Sequence, residues 1–125
     1  MQKYFKTYYL IIFAACLILS LASCQIAPLM GTPVEPEGLK DGVYEGEYKK
    51  GINKAVVKVT IADGRIADVE LVKHTASWIG KKANEVILQE IISQQSTRVD
   101  AVSGATNSSR VIMNAVQKAV EKAYQ

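Results

Sequence analysis

Residues 100–109 read DAVSGATNSS, and the rest of the chain is organised around this stretch. It places one acid, one glycine, one threonine and three serines between two segments whose apolar residues recur at helical spacing. A turn of this kind leading into a helix presents free backbone N–H groups, and the helix dipole favours negative charge there. The stretch therefore predicts either a turn that holds an anion or an ordinary helix start capped by Asn107 or Ser108.

Helices are predicted on both sides of the turn. Residues 82–95 have helical periodicity, and residues 96–99 predict a short extended return to the turn. The C-terminal segment predicts an amphipathic helix. Its expected buried side consists of Ile112, Ala115, Val116, Ala119, Val120 and Ala123. One side of the preceding helix is expected to consist of Ala83, Val86, Ile87, Glu90 and Ile91.

Three strands are predicted upstream, over Val43–Tyr48, Ala55–Ile61 and Arg65–Lys73. Asp63-Gly64 between the last two is a favoured hairpin pair, because both turn positions need positive φ. One face of the second strand is formed by Ala55, Val57, Val59 and Ile61, and one face of the third by Ala67, Val69 and Leu71. The pattern predicts an α+β fold, with a small antiparallel sheet of three or slightly more strands packed with two helices.

The N-terminus has the features of a targeting segment. Lys3 and Lys6 precede an apolar run from Leu10 to Leu21, which is too short for a comfortable transmembrane span. The run ends in LASC at residues 21–24, which resembles the lipobox of bacterial lipoproteins, where the cysteine is lipidated and the chain is cut before it. We expect a signal peptide at residues 1–23 and lipidation of Cys24. An ordinary secretory signal with an incidental cysteine is the alternative.

The remaining chain predicts a tether over residues 24–40, which hold all three prolines, and one domain over residues 41–125. Cys16 would leave with the signal, so no disulfide or cysteine metal site is expected. The net charge is +3, and no basic stripe indicates a nucleic-acid partner. Only one histidine, His74, is present, so neither a metal site nor an acid–base catalytic residue is predicted.

The pattern Asp-x-x-Ser-Gly-Ala-Thr-x-Ser-Ser at residues 100–109 resembles the signature of the bacterial FMN-binding domain family. The resemblance extends upstream through DGVYEG at residues 41–46 and the region 57–72. That family occurs in sodium-translocating and Rnf-type membrane oxidoreductases, in periplasmic reductases and in small lipoproteins. The resemblance implies FMN joined through its phosphate to the hydroxyl of Thr106, by a separate flavin transferase that uses FAD and a divalent metal.

The resemblance also implies roles for the neighbours of Thr106. Ser103, Gly104 and Ala105 shape the turn, with Gly104 allowing close backbone approach. Ser108 and Ser109 either donate to the phosphate or cap the helix. Asp100 either helps the transferase to orient Thr106 or bind its metal, or it forms the turn by bonding nearby N–H groups.

Two residues after the third strand are further candidates for flavin contact. His74 is either a surface or packing residue or lies near the flavin, because the family often has a histidine there. Trp78 either stacks on the isoalloxazine ring or fills the gap between the sheet and the first helix. Thr75-Ala76-Ser77-Trp78 departs from the acidic or proline-containing residues common in the family at this point.

The sequence therefore predicts an extracytoplasmic, lipid-anchored electron carrier with covalent FMN. Its expected partners are a flavin transferase and a membrane oxidoreductase or other redox protein, and an accessory redox role is favoured over that of a stand-alone enzyme. Two other hypotheses remain, a non-covalent FMN-binding module and a cofactor-free structural or interaction lipoprotein.

Overall fold

A computed structural model describes residues 2–19, 26–75 and 84–125 of the chain. Its elements are α1 (Gln2–Leu19), β1 (Gly42–Lys50), β2 (Asn53–Ala62), β3 (Arg65–Thr75), α2 (Asn84–Gln94) and α3 (Thr106–Ala123). The strands form one antiparallel sheet in the order β1-β2-β3. This confirms the α+β class and the three-stranded sheet that the sequence predicts.

The β2–β3 hairpin follows from its two turn residues. Asp63 has φ 53° and Gly64 has φ 68°, so both central positions lie in the left-handed region. A two-residue turn of this kind matches the twist of the flanking strands. The predicted face of β2 is also confirmed, since Ala55, Val57, Val59 and Ile61 are all buried.

The predicted face of β3 is wrong at one position. Thr60 pairs with Asp68, but Ile61 pairs with Ile66, so Ala67 is an extra residue that forms a bulge. Because a bulge interrupts the alternation of side chains, Ile66 is buried and Ala67 is exposed. The Gln95 side-chain amide supports the irregular strand, accepting from the Ile66 N–H at 2.8 Å and donating to the Ile66 carbonyl at 2.9 Å.

Helix α3 lies across β1 and β2 at very short range. All six residues predicted for its apolar side are buried. A Cβ atom added at Gly46 of β1 would lie 2.0 Å from the Ala115 carbonyl oxygen and 2.6 Å from the Ala119 nitrogen. The helix therefore rests on the strand backbone at a point where only glycine leaves enough room.

Helix α2 is turned differently from the prediction. Ile87 and Ile91 are buried, but Val86 is 53% exposed and Glu90 is exposed as well. Leu88 and Ile92 pack against the core instead. The buried stripe thus follows the i, i+1, i+4, i+5 positions on one side of the helix, which leaves Val86 facing outward. Ala83 lies outside the described residues.

The domain has two distinct ends. The Ser108 hydroxyl lies 3.4 Å from the Asn53 side-chain oxygen, so the start of α3 meets the β1–β2 hairpin. At the opposite end, the Lys40 N–H donates to the Ala123 carbonyl at 2.8 Å, and the Gly64 N–H donates to the Asp41 carboxylate at 3.4 Å. We call these the Thr106 end and the Gly64 end.

Residues 26–34, which we call the strap, pack against the domain. The Ala27 N–H donates to the Asn107 side chain at 2.9 Å, and Arg110 Nη1 donates to the Ala27 carbonyl at 3.2 Å. Asn114 accepts from the Met30 N–H at 3.2 Å and donates to the Pro28 carbonyl at 2.8 Å. The three helix side chains share one face of α3 because their spacing is i, i+3, i+7.

The strap then pairs with the segment that follows α2. Pro33 and Ser96 form an isolated antiparallel bridge, with the Val34 N–H donating to the Gln95 carbonyl at 2.9 Å and the Thr97 N–H to the Thr32 carbonyl at 3.0 Å. Leu39, further along, is buried in the core. Residues 26–40 belong to the tether predicted over residues 24–40, and they pack on the domain because their backbone groups and Leu39 find partners there.

Replacing Gly46 with alanine should destabilise the domain by about 3 kcal/mol, because the new methyl group overlaps the backbone of α3. Gly51→Ala is the control. Gly51 has φ 60° but no atom within 4 Å of its would-be Cβ, so only a backbone strain of about 1 kcal/mol is expected. Urea unfolding of the two variants compares the effects, and equal destabilisation would contradict the close helix–strand contact.

Asn114→Ala should release the strap, because it leaves the Met30 N–H and the Pro28 carbonyl without their side-chain partner. The expected loss is about 2 kcal/mol of stability. Lys118→Ala removes only a surface ion pair on the same helix and should change stability by less than about 0.5 kcal/mol. Faster amide hydrogen exchange at Met30 in Asn114→Ala alone would confirm the role of Asn114, and unchanged exchange would refute it.

Candidate functional site

The stretch at residues 100–109 contains a tight turn held by one backbone bond. The Ala105 N–H donates to the Val102 carbonyl at 2.9 Å, which closes a four-residue turn. Gly104 is its third residue and has φ 80°, whereas Ser103 does not have a positive φ. This is the type II arrangement, which requires positive φ at the third position. Gly104 is thus needed for the path of the chain immediately before Thr106.

Helix α3 begins at Thr106, earlier than a cap at Asn107 or Ser108 would allow. Its N-cap is Ala105, which makes no side-chain capping bond. Asn107 instead accepts from Ala27, and Ser108 points to Asn53. The capping prediction is therefore wrong, because both side chains are engaged with other segments. No side chain among the described residues caps the first N–H groups of α3, which are thus available to an anion.

Ser109 holds the turn in place from inside the helix. Its side chain is fully buried, and its hydroxyl donates to the Ala105 carbonyl at 2.8 Å and accepts from the Val102 N–H at 3.2 Å. The Ser109 N–H also donates to the Ala105 carbonyl, at 2.9 Å. One serine thus fixes both ends of the turn relative to the helix.

Thr106 occupies the first position of α3 and is half-buried. Its hydroxyl makes no hydrogen bond with any other described residue, and the same is true of the exposed Ser103 and Asp100 side chains. Ala105 between them is buried. The turn therefore presents one threonine hydroxyl at the uncapped end of a helix, with exposed neighbours on the side from which another molecule can approach.

A pocket of about 370 Å³ lies beside this turn. It is lined by Leu29, Gln94, Arg98, Val99, Asp100, Ala101 and Arg110. Its volume falls within the range of about 300–1,000 Å³ that small-molecule sites occupy. The pocket is continuous with the turn in sequence, because Ala101 leads directly into Val102.

Arg110 brings a positive charge to this pocket from one helical turn beyond Thr106. Its Nη1 donates to the strap, but its Nε is buried and has no hydrogen-bond partner among the described residues. A buried donor without a partner is costly, and an anionic group within reach would satisfy it. Arg110 is thus a residue that can attract a phosphate or another anion to this side of the turn.

His74 lies at the same end of the sheet as Thr106. It pairs in register with Ala55, two residues after Asn53, and is half-buried near the end of β3. The topology therefore brings His74 and the turn to one end of the domain. Trp78 and the predicted lipidation residue Cys24 both lie outside the described residues. No helix within the described ranges has the length and apolar character needed to cross a membrane.

Sequence reasoning missed the pocket and the face of α3 that binds the strap. Asn107, Arg110 and Asn114 recur at helical spacing on a helix that is otherwise largely apolar, which was the available signal. Asn114 in particular is fully buried in the middle of α3. A buried asparagine there needs partners, and the backbone of the strap provides them.

Comparison with known proteins gives a family match that includes this site. The model of a family described as the FMN-binding domain matches residues 50–121. An uncharacterized protein of Treponema pallidum is 40% identical over 92 residues, which cover 70% of this chain. An NADH:fumarate oxidoreductase of Klebsiella pneumoniae is 31% identical over 66% of the chain, and an NADH:acrylate oxidoreductase of Vibrio harveyi is 32% identical over 79%.

The matched region is a small part of each of these relatives. It spans 24% of the Treponema protein, 9% of the Klebsiella protein and 10% of the Vibrio protein. In this chain the family match covers more than half of the residues, from the β1–β2 hairpin through the turn and most of α3. The chain belongs to the FMN-binding domain family, and FMN is its cofactor.

Proposed function

We propose that this protein is an electron carrier in which FMN is joined by a phosphoester bond to Thr106, held outside the cytoplasm by a lipid on Cys24. The observation that carries the covalent linkage is the state of the Thr106 hydroxyl. It stands at the uncapped start of α3, makes no hydrogen bond with the described residues and follows a turn that Ser109 keeps in place.

The residues around Thr106 fit the phosphate of FMN. Within the described ranges no side chain caps the first N–H groups of α3, and the positive end of the helix dipole faces the same place. Arg110 adds a buried Nε without a hydrogen-bond partner among the described residues. After linkage, the phosphodiester keeps one negative charge, and these donors would hold it.

The surroundings of Thr106 also suit modification by a separate transferase. Ser103 and Gly104 are exposed, so the turn is accessible from one side, while the buried Ala105 and Ser109 keep it in shape. In the proposed reaction the Thr106 oxygen forms a bond to the flavin-side phosphorus of FAD, the pyrophosphate bond breaks, AMP leaves and the hydroxyl proton is lost. Asp100 is exposed and available to orient the hydroxyl or bind the transferase's metal ion.

The electron-carrier role is supported by the relatives. Proteins named NADH:fumarate and NADH:acrylate oxidoreductase contain a segment similar to this chain as about a tenth of their lengths. When bound, FMN supplies one- and two-electron redox chemistry, and the protein supplies its position and electrostatic surroundings. We assign no catalytic residue in this chain and place its electron partners in a membrane oxidoreductase or another redox protein.

Thr106→Val should abolish covalent flavin while preserving the fold, because valine has nearly the same shape as threonine and lacks the hydroxyl. Thr106→Ser is the matched variant that keeps an acceptor oxygen and should still be modified. Each protein is produced with a flavin transferase and measured by intact mass and peptide mapping. The expected gain in the wild-type protein is the mass of FMN less one water, localised to Thr106.

Two outcomes would overturn this assignment. If Thr106→Val kept its flavin through denaturation, the linkage would be at another residue. If the wild-type Thr106 stayed unmodified beside a competent transferase and flavin was released by acid precipitation, a non-covalent FMN module would be favoured instead.

Arg110→Gln should weaken the binding of free FMN to the Thr106→Val protein by about tenfold, because a charge-assisted hydrogen bond to the phosphate is lost. Arg65→Gln removes the same charge at the Gly64 end and should leave the dissociation constant unchanged. Quenching of flavin fluorescence on titration measures both constants, and equal affinities for the two variants would rule out Arg110 as a phosphate-binding residue.

A further inference from the structure

We propose that the Thr106 end of the domain rests on an anionic lipid surface, which it contacts through Lys49, Lys50 and Ile52 of the β1–β2 hairpin and Ile26 and Leu29 of the strap. The inference rests in part on the lipid anchor of the proposed function. Three independent features support it. They are the point where the chain enters the domain, the lysines and exposed apolar side chains at the Thr106 end, and the difference in net charge between the two ends.

The chain enters the domain beside Thr106. Ala27 is fully buried and is bound through its N–H and its carbonyl to Asn107 and Arg110, within the first turns of α3. Only three residue steps separate Cys24 from Ala27, which span at most about 11 Å. A lipid on Cys24 would therefore hold the Thr106 end, rather than the Gly64 end, next to the membrane.

The β1–β2 hairpin lies at this same end because Asn53 contacts Ser108. Its tip carries Lys49, Lys50 and Lys54, and one glutamate, Glu47, offsets them through an ion pair with Lys54 at 2.9 Å. Three lysines against one glutamate leave a net positive tip. Lysines near an anionic leaflet are each attracted to its surface, and the attraction falls off within a Debye length.

Exposed apolar side chains accompany these lysines. Ile52 at the hairpin tip is 83% exposed, and Ile26 and Leu29 of the strap are 52% and 42% exposed. Single exposed apolar residues are ordinary on protein surfaces. Here they occur at one end of the domain, together with basic residues and next to the predicted lipid, which is the combination typical of interfacial anchoring.

The Gly64 end has the opposite charge. The exposed acids there are Glu35, Glu37, Asp41, Asp63 and Glu121, and the nearby basic residues are Lys40, Arg65 and Lys122. Five acids against three bases leave that end net negative. An anionic surface would attract one end of the domain and repel the other, which orients the molecule with Thr106 towards the lipid. A flavin on Thr106 would then meet electron partners that lie in or on the membrane.

The test uses the full lipidated protein in a Thr106→Val background, so that it carries no flavin. A fluorophore is attached to Ile52→Cys, or to Glu37→Cys at the opposite end, in vesicles of phosphatidylcholine with or without a quarter phosphatidylglycerol. Quenching by a spin-labelled lipid should be at least threefold stronger at position 52 than at position 37 in the anionic vesicles. In neutral vesicles the difference should fall to what the Cys24 anchor alone imposes.

Charge-reversal variants separate the contribution of the lysines to orientation from that of the lipid anchor. Lys49→Glu should bring quenching at position 52 down to its level in neutral vesicles. Lys49 faces Lys54 in register, so the substitution is not expected to reduce stability. Arg65→Glu makes the same change in charge at the Gly64 end and should leave the pattern intact. Equal quenching at both positions, or a difference independent of lipid charge, would overturn the proposal, and the second result would mean that the anchor alone orients the domain.

The outcome can be read separately from that of the proposed function. Intact mass reports flavin and lipid attachment, whereas quenching reports orientation without any flavin. If Cys24 carries no lipid, flotation of the unanchored protein with the anionic vesicles replaces quenching, and Lys49→Glu should lower the membrane partition coefficient roughly 30-fold. An unlipidated protein that fails to float with these vesicles would also overturn the proposed surface.

Discussion

The contact between Gly46 and helix α3 is the constraint on which the rest of the domain depends. The helix backbone approaches the strand so closely that even a methyl group at this position would overlap it. Because the apolar side of α3 must also cover β2, the helix axis can cross the sheet in only one direction. That direction brings its first turn to the β1–β2 hairpin and its last turn to Lys40. The position of Thr106 thus depends on the packing of α3 against Gly46, which lies against Ala115, about two and a half helical turns further along the helix.

A second constraint joins the N-terminal strap to the same helix. Asn114 is buried, and a buried amide is stable only where its hydrogen bonds are made. The backbone at residues 28–30 meets that need, and Asn107 and Arg110 extend the contact towards Thr106. Since backbone groups are the partners, the strap can be held without specific side chains of its own. The contact links the end of the strap that is nearest Cys24 directly to the candidate flavin site.

Much of the domain could be predicted because its signals are local. The apolar side of α3, the inner face of β2 and the Asp63-Gly64 turn each follow from periodicity or from one φ requirement. The errors arise where distant segments decide. The bulge at Ala67 depends on Gln95, which binds the neighbouring Ile66. The rotation of α2 depends on which of its faces meets β3. The packing of the strap depends on side chains about eighty residues away in the sequence. The absence of a cap on α3 belongs to the same class, since Asn107 and Ser108 are drawn away by the strap and the hairpin.

The hydroxyl groups of the turn divide into those that build it and those that remain free. Ser109 uses its hydroxyl to join Val102 to Ala105, and Ser108 directs its own towards Asn53. Ser103 and Thr106 make no such bonds with the described residues, and only Thr106 lies within the helix whose first N–H groups lack a cap. A phosphate bound at that terminus would therefore lie closer to Thr106 than to the serine that precedes the turn's glycine. The choice of Thr106 as acceptor in the proposed linkage thus has a physical basis in this fold, apart from any resemblance in sequence.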